Sequence, residues 1–498
     1  MVTVNLTMNS SYYNSVKGTL NVLLPEVEIH NIDEDVEAEL NIIVKLDTSA
    51  GIKVRSFFAG QNNLNNEIED KEILSNSYNS NDFDKRCKER LKLSIYRLLC
   101  DYLGEDLSPW GILTGVRPTK LAHFLLERGF DYQKVDSLLE NVYGVAKEKR
   151  DLLLNIIKLE RSYFPTPEEA KNKVSIYLGI PFCPTRCNYC SFAAYPIAKY
   201  QKYLPNFLEA LDYEIREVSK VVQDLGLVVD TIYIGGGTPT VLSSTELDRV
   251  LNNLKKYLSL SQLRDFTVEA GRADTISKAK LEVLKRQGIK RISINPQTMN
   301  LKTLEVIGRK HSVDEVTKSF SLAREIGFEN INMDMIIGLP GEGIDDVKRT
   351  LLRIKDLNPD SLTVHTMAIK RASRLKRSLE DNNLPSDREV SEMLKYTKKM
   401  TKELDLIPYY MYRQKNILGN LENIGYAKAG KESIYNILMM EERETVIGLG
   451  GGSITKLINT QDYSLERLVN PKFPKQYIEE IKERTNEKIS KINELFYK

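Results

Sequence analysis

Between residues 174 and 369, six short apolar runs alternate with longer stretches of helical periodicity, and this alternation is the strongest constraint on the fold. The runs are VSIYLGI (174–180), VDTIYIG (229–235), DFTVEAG (265–271), KRISINP (290–296), NINMDMIIG (330–338) and SLTVHTMAI (361–369). Continuous apolar strands separated by amphipathic helices are typical of a parallel sheet that is buried on both faces. Six such units predict an α/β domain, built either as a doubly wound sheet or as a partial barrel.

The segments on either side of this alternation have a different character. Residues 1–83 contain the strand-like runs VTVNLTM, AELNIIVKL and IKVRSFF, separated by an acidic run and an Asn-rich stretch (62–82) that we expect to be solvated loops. Helical periodicity follows. We therefore expect a small α/β accessory module at 1–83, a helical segment at 84–165, the α/β domain at 166–376, and a C-terminal extension at 377–498 in which the alternation stops.

The charge balance limits the classes of partner. The 498 residues include 71 Lys and Arg against 69 Asp and Glu, for a formal net charge of +2. This balance argues against a nucleic acid or a membrane surface as the main partner. The N-terminus lacks the pattern of a secretory signal, and no window approaches the roughly 18 apolar residues of a membrane-spanning helix. We expect a cytoplasmic protein, in which structural disulfides are rare.

Chemically distinctive residues follow the six runs. In parallel α/β domains the carboxyl ends of the strands share one face, where ligands bind. The first run leads into three cysteines and the second ends in GGGTPT (235–240). The remaining four runs end, in order, with Glu269, with Asn295 and Gln297, with Asp334, and with His365. Six coincidences of this kind predict one functional site at that face.

Cys183, Cys187 and Cys190 form a C-x3-C-x2-C pattern in PFCPTRCNYCSF (181–192). A reducing compartment and an odd count argue against disulfides. A structural zinc site needs four ligands, usually in two separated pairs, so a remote residue such as His365 would have to complete it. A [4Fe–4S] cluster with three thiolates and one open iron position explains the count best. Zinc is the alternative.

Two glycine-rich stretches have different expected roles. GGGTPT lacks the Lys-Ser/Thr of a P-loop, so its glycines allow either close approach to a small ligand or a tight strand-to-helix turn. IGLGGGS (447–453) resembles a dinucleotide fingerprint, but it ends in Ser453 and has no βαβ unit of its own. We expect a turn with close backbone packing at this second stretch.

The two acidic residues at strand ends are also informative. Glu269 and Asp334 would be costly to bury unless they bind a polar group. Helix capping or internal hydrogen bonding is the alternative for each of them.

The cysteine motif after YLGIPF, together with GGGTPT, resembles the motifs of radical S-adenosylmethionine (SAM) enzymes. Further stretches are similar to the oxygen-independent coproporphyrinogen III oxidase family, and especially to its HemZ-type branch: WGILTGVRPTK, VEAGRADT, RISINPQTMN, IGRKH, INMDMIIGLPGE and DSLTVHTMAIKRAS. The resemblance covers about residues 110–455. It implies a radical SAM partial (β/α)6 barrel, a [4Fe–4S] cluster, and one or two SAM molecules.

The resemblance also implies roles for individual residues. Cys183, Cys187 and Cys190 would hold the cluster, with SAM on the open iron. Thr238 and Gln297 match positions near a second SAM. The full set of implied cofactor contacts is Tyr177, Gly236, Gly237, Thr238, Glu269, Gln297, Arg309, Asp334 and Ala368.

The implied activity is oxidative decarboxylation of coproporphyrinogen III propionates to vinyl groups without oxygen, in porphyrin and heme biosynthesis. An electron donor such as flavodoxin or ferredoxin is the implied partner. Because the tetrapyrrole carries four carboxylates, cations are expected near the site. Lys370, Arg371 and Arg374 in KRASRLKR (370–377) directly follow the sixth run and are candidate substrate contacts. A solvated helix face is the alternative for this stretch.

Two departures from the family pattern keep other functions open. The archetypal dehydrogenases continue the motif with a further C-x-C cysteine, whereas here Ser191 and Phe192 follow Cys190, as in the family's heme-chaperone relatives. The aromatic HNxxYW-type signature of those relatives is replaced by YYMYRQKN. A heme-binding chaperone-like protein, and a radical SAM methyltransferase or other enzyme acting on a tetrapyrrole, are therefore the alternatives.

Overall fold

The computed structural model describes residues 2–8, 10–23, 27–31, 38–49, 51–59, 65–70, 80–104, 106–115, 117–368, 384–414, 417–460 and 464–496. The chain forms two compact units. The first consists of Met1–Ile157 and Arg413–Leu421, and the second of Lys158–Tyr412 and Glu422–Lys498. The division into four segments made from the sequence stays a prediction.

The first unit contains a five-stranded sheet. Its strands β1 to β5 span Val2–Thr7, Val27–Asn31, Leu40–Asp47, Ile52–Phe58 and Asn65–Asp70, in the order β2-β1-β3-β4-β5. Helices α1 (Ser10–Leu23) and α2 (Ser80–Leu103) pack with the buried face of this sheet in one apolar core. The three predicted strands are confirmed. Helix α1 and strand β2 were not predicted, and β5 lies in an Asn-rich stretch that was wrongly expected to be a loop.

Helices follow the sheet, as the helical periodicity of the sequence predicts, while the bounds of the segment stay a prediction. Helices α3, α4 and α5 span Pro118–Glu127, Tyr132–Asn141 and Lys147–Arg161. The stretch WGILTGVRPTK buries Trp110 completely, and the cations of Lys149 and Arg413 lie 6.0 and 5.4 Å from its ring. The segment 413–421 therefore contacts the rest of the first unit through the stacking of the Arg413 cation on the Trp110 ring.

The second unit is built on parallel strands in chain order. Strands β6 to β13 span Lys173–Ile180, Phe182–Cys183, Tyr195–Pro196, Val228–Gly236, Asp265–Gly271, Arg291–Gln297, Ile331–Ile337 and Ser361–Thr366. The six long strands pair as neighbours in the order β6-β9-β10-β11-β12-β13, all parallel. A doubly wound sheet reverses its strand order, and this sheet does not. β13 pairs with β15 and not with β6, so the barrel is partial, as predicted.

Helices connect these strands. α6 to α13 span Pro167–Ala170, Ile197–Tyr200, Leu204–Asp224, Ser244–Tyr257, Lys278–Arg286, Leu301–Val306, Val313–Glu325 and Ile344–Leu357. Ser243 with Glu246 forms a capping box at the start of α9, and Ser312 with Glu315 does so at α12. These reciprocal hydrogen bonds fix where each helix leaves its loop at the carboxyl face of the sheet.

The C-terminal segment extends the same sheet. It contains α14 (Asp387–Glu403), β14 (Ile407–Tyr412), β15 (Asn423–Ala427), α15 (Ile434–Glu441), β16 (Thr445–Gly450), β17 (Ile454–Ile458), β18 (Leu465–Val469) and α16 (Pro474–Phe496). β14 and β15 add to one edge, and β16, β17 and β18 to the other, giving 11 strands. The expectation that strands and helices stop alternating after residue 376 is therefore wrong. Glycines interrupt the apolar run of β16, which weakened its strand signal.

The second glycine-rich stretch lies beside the cysteine strand. β16 pairs in parallel with β6, and the register places Gly450 opposite Gly179. Gly450 has φ of +82°, and a Cβ there would lie 2.3 Å from the carbonyl oxygen of Gly179. The predicted turn with close backbone packing is confirmed. Across the part of the chain that the structure describes, no helix is both long and apolar enough to cross a membrane.

Candidate active site

When the terminal residues of the strands are left out, five of the six long parallel strands each have one partly accessible side chain among buried neighbours. These side chains are Tyr177 on β6, Tyr233 on β9, Glu269 on β10, Asp334 on β12 and His365 on β13. Every residue of β11 is buried. A polar position that stays accessible in the middle of a buried strand indicates a space inside the barrel.

The alternation of side chains across the strands shows which face these residues occupy. Ile234 and Val268 line a small apolar cavity together with residues of α9 and α10, so they face the outer helices. Their neighbours Tyr233 and Glu269 therefore face the opposite side, which is the interior of the barrel. The two predicted acidic residues and the predicted Tyr177 belong to this interior.

Three tyrosines form a stack in this interior. The ring centroids of Tyr177 and Tyr233 are 6.2 Å apart, and Tyr435 lies 4.8 Å from Tyr233. Tyr435 belongs to α15, whose start is held by Asp265 Oδ2, which accepts from Ser433 Oγ at 3.1 Å and from Tyr435 N at 3.2 Å. Asp265 is the first residue of β10. Helix α15 therefore closes the amino end of the barrel and places an aromatic floor beneath the site.

Glu269 is held on this floor. The hydroxyl of Tyr233 donates to its Oε1 at 2.7 Å. Burial raises the pKa of Glu269 to about 7, and the negative charge of Asp334 adds to this, while the hydrogen bonds from Tyr233 and from the backbone of Gly236 oppose it. Near neutral pH the carboxyl is close to half ionised. A cationic group bound beside it would favour the ionised form.

Asp334 and Gln297 have unsatisfied binding capacity. Asn332 Nδ2 donates to Asp334 Oδ1 at 2.6 Å, and the aspartate keeps accessible surface. Gln297 has φ of +67°, which is uncommon for a residue with a Cβ. Within the described residues, its buried Oε1 has no hydrogen-bond partner. A strained backbone and an unpaired buried acceptor are costly, and both are features of ligand-binding positions.

The loop carrying the cysteines is anchored at several points. Strands β7 and β8 pair, which places Cys183 opposite Pro196. Asn188 donates from its backbone to Ile307 O at 3.0 Å and from Nδ2 to Val306 O at 2.8 Å. Thr185 Oγ1 donates to Gly308 O at 3.1 Å. The IGRKH stretch is therefore the support on which the cysteine loop lies.

The three thiols fit a cluster better than a single ion. Cys183 and Cys187 are buried and Cys190 is partly accessible. Burial raises the pKa of Cys183 to about 12, so a bound cation is needed to hold a thiolate there. Among the described residues, no group of three metal-ligating side chains with all ligand atoms within 4.8 Å of one another includes these thiols. This spread does not suit zinc, whereas a four-iron cluster presents separate irons to separate thiolates.

GGGTPT packs directly against the strand that leads to the cysteines. Gly237 N donates to Ile180 O at 2.8 Å, and a Cβ on Gly237 would lie 2.4 Å from Phe182 O. Thr238 N donates to Phe182 O at 2.8 Å, and its Oγ1 lies 3.5 Å from Cys183 Sγ. At Gly237 the close approach that requires glycine is therefore made by protein backbone.

Arg309 lies behind the cysteine loop. It is buried, its Nη2 donates to Tyr189 OH at 3.1 Å, and its Nη1 donates to Asn295 O. The positive charge of its guanidinium also acts on the nearby Cys187 thiol. A guanidinium in contact with a cluster thiolate would stabilise the negative charge of that ligand.

The remaining predicted residues lie on β13 or in the segment that follows it. His365 Nδ1 is 3.2 Å from the hydroxyl of Tyr412, which belongs to the YYMYRQKN stretch. Ala368 is buried just after β13. The candidate substrate contacts Lys370, Arg371 and Arg374 fall outside the described residues.

The sequence interpretation missed Tyr233 and Tyr435. Tyr233 shares the interior face with the predicted Tyr177, its register partner on the neighbouring strand, so a strand-pairing argument could have found it. Tyr435 had no sequence signal, because its helix reads as an ordinary apolar core helix.

Comparison with known proteins identifies the family. Residues 177–354 match the radical SAM superfamily. Over 415 residues the chain is 44% identical to the oxygen-independent coproporphyrinogen-III oxidase-like protein HemZ of Bacillus subtilis (strain 168), an alignment that covers 83% of each chain. The chain is a radical SAM protein of the HemZ family. The superfamily uses a [4Fe–4S] cluster and SAM, and the three-thiol loop has the donor set for such a cluster.

Two further relatives show the range of this family. The chain is 33% identical to the heme chaperone HemW of Bacillus subtilis (strain 168) over 315 residues, which is 62% of this chain and 76% of that protein. The solved structure of coproporphyrinogen III oxidase (HemN) from Escherichia coli matches with a TM-score of 0.52 and 23% identity, covering 66% of this chain and 72% of that one. At this identity the structural likeness shows the fold alone.

Proposed function

We propose that this radical SAM protein is an oxidoreductase that decarboxylates the propionate side chains of coproporphyrinogen III to vinyl groups, without oxygen, in porphyrin and heme biosynthesis. The observation that carries the proposal is the barrel interior, where Glu269, Asp334 and a tyrosine floor lie on the inner face of the strands below the three-thiol loop. The relationship to HemZ supports the choice of substrate.

The proposed cofactor-binding residues divide by chemistry. Cys183, Cys187 and Cys190 would hold the cluster and leave one iron open to SAM. Glu269 and Asp334 offer carboxylates to the ammonium and hydroxyl groups of SAM, and Gln297 offers an unpaired acceptor. The remaining proposed contacts are Tyr177, Gly236, Gly237, Thr238, Arg309 and Ala368.

When bound, the reduced cluster and SAM supply a carbon-centred radical that can remove a hydrogen atom from an unactivated C–H bond. The protein's part is to orient the propionate and exclude water. The floor made by Tyr177, Tyr233 and Tyr435 closes the amino end of the barrel against solvent. Loss of one hydrogen atom, one electron and carbon dioxide from a propionate leaves a vinyl group, so the reaction also requires a one-electron acceptor.

The direct test is an anaerobic assay of the reconstituted protein with SAM, a reductant and coproporphyrinogen III. We expect 5′-deoxyadenosine together with tetrapyrrole products that have lost carbon dioxide. Cys187→Ala should abolish cluster assembly and both products, while Cys100→Ala, on α2 of the first unit, is the matched control and should retain them. Deoxyadenosine without a decarboxylated product would contradict the proposed substrate reaction and favour a methyltransferase or another tetrapyrrole enzyme.

A heme-carrier function is the second candidate, favoured by Ser191 and Phe192 after Cys190 and by the likeness to HemW. Titration with hemin separates the two functions. Tight stoichiometric heme binding, without deoxyadenosine formation in the assay above, would support the carrier and overturn the oxidase.

A further inference from the structure

An exposed basic and aromatic surface lies beside the cysteine loop. We define it as the donor face, and its members are Phe192, Tyr195, Lys199, Tyr200, Lys202, Tyr203, Lys472 and Phe473. All but Lys472 and Phe473 come from the segment that follows the third cysteine. None of these residues has a role in the proposed chemistry.

Aromatic contacts give the donor face a defined shape. The ring of Phe473, just before α16, has its centroid 5.4, 5.8 and 6.0 Å from the rings of Tyr195, Tyr200 and Tyr203. Each of these four rings is partly accessible, and Phe192 beside them is 68% exposed. Partly exposed aromatic groups that already pack on one another lose little conformational freedom when a partner covers them.

The donor face is joined directly to the cluster-binding strand. Tyr195 N donates to Pro181 O at 2.9 Å, and pairing of β7 with β8 sets Pro196 opposite Cys183. On the other side, the side chain of Lys472 and the Cβ of Ala193 both lie within 4 Å of the Cβ position of Gly452. Lys472 is therefore next to the residue that follows Phe192, and the whole face borders the thiolate loop.

The donor face is positively charged although the whole chain is nearly neutral. No Asp or Glu occurs between residues 170 and 208. Lys199, Lys202 and Lys472 are exposed, and within the described residues none of them forms an ion pair. The ammonium groups of Lys199 and Lys202 lie 5.7 and 5.1 Å from the rings of Tyr200 and Tyr203. An aromatic patch bordered by unpaired cations is complementary to an acidic protein surface.

We propose that the donor face docks an acidic one-electron-donor protein, which reduces the cluster held by the adjacent thiolates. One electron leaves the donor and enters the cluster, and no bond or proton is transferred. The three lysines would steer the acidic partner, and the aromatic patch would form the contact. The inference rests on the cluster part of the proposed function and does not depend on the tetrapyrrole.

The test compares two donors on the reconstituted holoprotein. Reduced flavodoxin serves as the acidic protein probe and dithionite as the small-molecule control, and cluster reduction is followed by loss of visible absorbance. In Lys199→Glu/Lys202→Glu, reduction by flavodoxin at low ionic strength should be slower by about tenfold or more, and reduction by dithionite should be unchanged. The wild-type rate with flavodoxin should fall with added salt, and the variant's rate should not.

Lys255→Glu/Lys256→Glu is the matched control, because it reverses two adjacent exposed lysines on α9, one of which also lies over a tyrosine ring. It should reduce at the wild-type rate. Calorimetric binding of oxidised flavodoxin provides a readout without turnover, and only the donor-face variant should weaken it. Equal rates and equal binding in both variants would overturn the proposal. Because neither measurement contains a tetrapyrrole, failure of the decarboxylation assay leaves this result interpretable.

Discussion

Glu214 and Glu269 are two carboxylates of the second unit with opposite environments. Glu214, on α8, is completely buried and receives four hydrogen bonds. Lys488 Nζ donates at 2.5 Å, Tyr477 OH at 2.7 Å, Asn470 Nδ2 at 2.8 Å and Gly450 N at 2.7 Å. The charge is neutralised and every oxygen is used, so this carboxylate has no capacity left for a ligand.

Glu269 differs in both respects. It keeps accessible surface, its side-chain donor is a neutral tyrosine, and its charged neighbour Asp334 repels it. The protein therefore holds one carboxylate, Glu214, that is hydrogen-bonded directly to a cation. The other, Glu269, forms no ion pair among the described residues and feels a cation, Arg291, only through its charge. Through its hydrogen bonds, Glu214 connects α8 and α16 to the glycine turn at Gly450, beside β6. Glu269 is available for a cationic group of a cofactor.

Removing the cation that pairs with Glu214 should have the largest effect on stability. Lys488→Met leaves Glu214 buried without its cation, and we expect a loss of about 3–5 kcal/mol in the free energy of unfolding. Urea unfolding of the apoprotein measures it. Glu214→Gln/Lys488→Met keeps an acceptor oxygen without a charge, so it should recover part of the loss. A double variant no more stable than Lys488→Met would contradict the assignment of Glu214 as a charged, cation-dependent group.

The sequence was sufficient to predict where Glu269 lies, but it was insufficient to predict the pairing of Glu214 with Lys488. Glu269 ends a recognisable apolar run, and parallel strands bring such ends together whatever the helices between them do. The three cysteines lie within eight residues, so their spacing is read directly from the local sequence. Glu214 and Lys488 are 274 positions apart on two amphipathic helices. Nothing local distinguishes them from the other charged residues on those helices.

The strand β16 and its glycines illustrate the same limit. Glycine lowers strand propensity, so the local pattern of IGLGGGS predicts a turn and no strand. The structure shows that Gly450 is needed because the backbone of Gly179 passes within 2.3 Å of its Cβ position. Such a requirement depends on a neighbouring strand, here one that precedes it by more than 250 residues, and it cannot be read from the local pattern.

Removing the charge of Glu269 should affect cofactor binding more than stability. A raised pKa means that ionising Glu269 disfavours the folded state as pH rises from the ordinary carboxyl range through about 7. Bound SAM brings a cation that reverses this preference. For Glu269→Gln we expect SAM affinity about tenfold weaker at pH 8, with a smaller difference at pH 6, where the wild-type carboxyl is mostly protonated. Equilibrium binding to the holoprotein at both pH values measures it. An equal loss at pH 6 and pH 8 would show that the carboxyl's charge is not what SAM recognises.

Glu269→Gln should leave the folded structure of the apoprotein intact. The apoprotein of Glu269→Gln should unfold at least as readily as wild type at pH 5 and should be relatively more stable at pH 8, because it lacks the ionisation that disfavours folding there. Thermal unfolding at the two pH values checks the sign. A large loss of stability at pH 8 would place Glu269 with Glu214, as a structural carboxylate, and would remove the distinction between them.

The smallest expected effect comes from the hydroxyl that supports Glu269. Tyr233→Phe removes the 2.7 Å hydrogen bond to Glu269 and keeps the ring in the stack. Since that bond favours the ionised carboxylate, its loss should raise the pKa of Glu269 and move the midpoint of pH-dependent SAM binding upward by up to about one pH unit, or roughly 1.4 kcal/mol. Tyr435→Phe also removes a hydroxyl from the stack, and its ring lies 4.8 Å from that of Tyr233. If both variants moved the midpoint equally, the change would come from the polarity of the stack as a whole, and the individual hydrogen bond from Tyr233 would not be what keeps Glu269 close to ionisation.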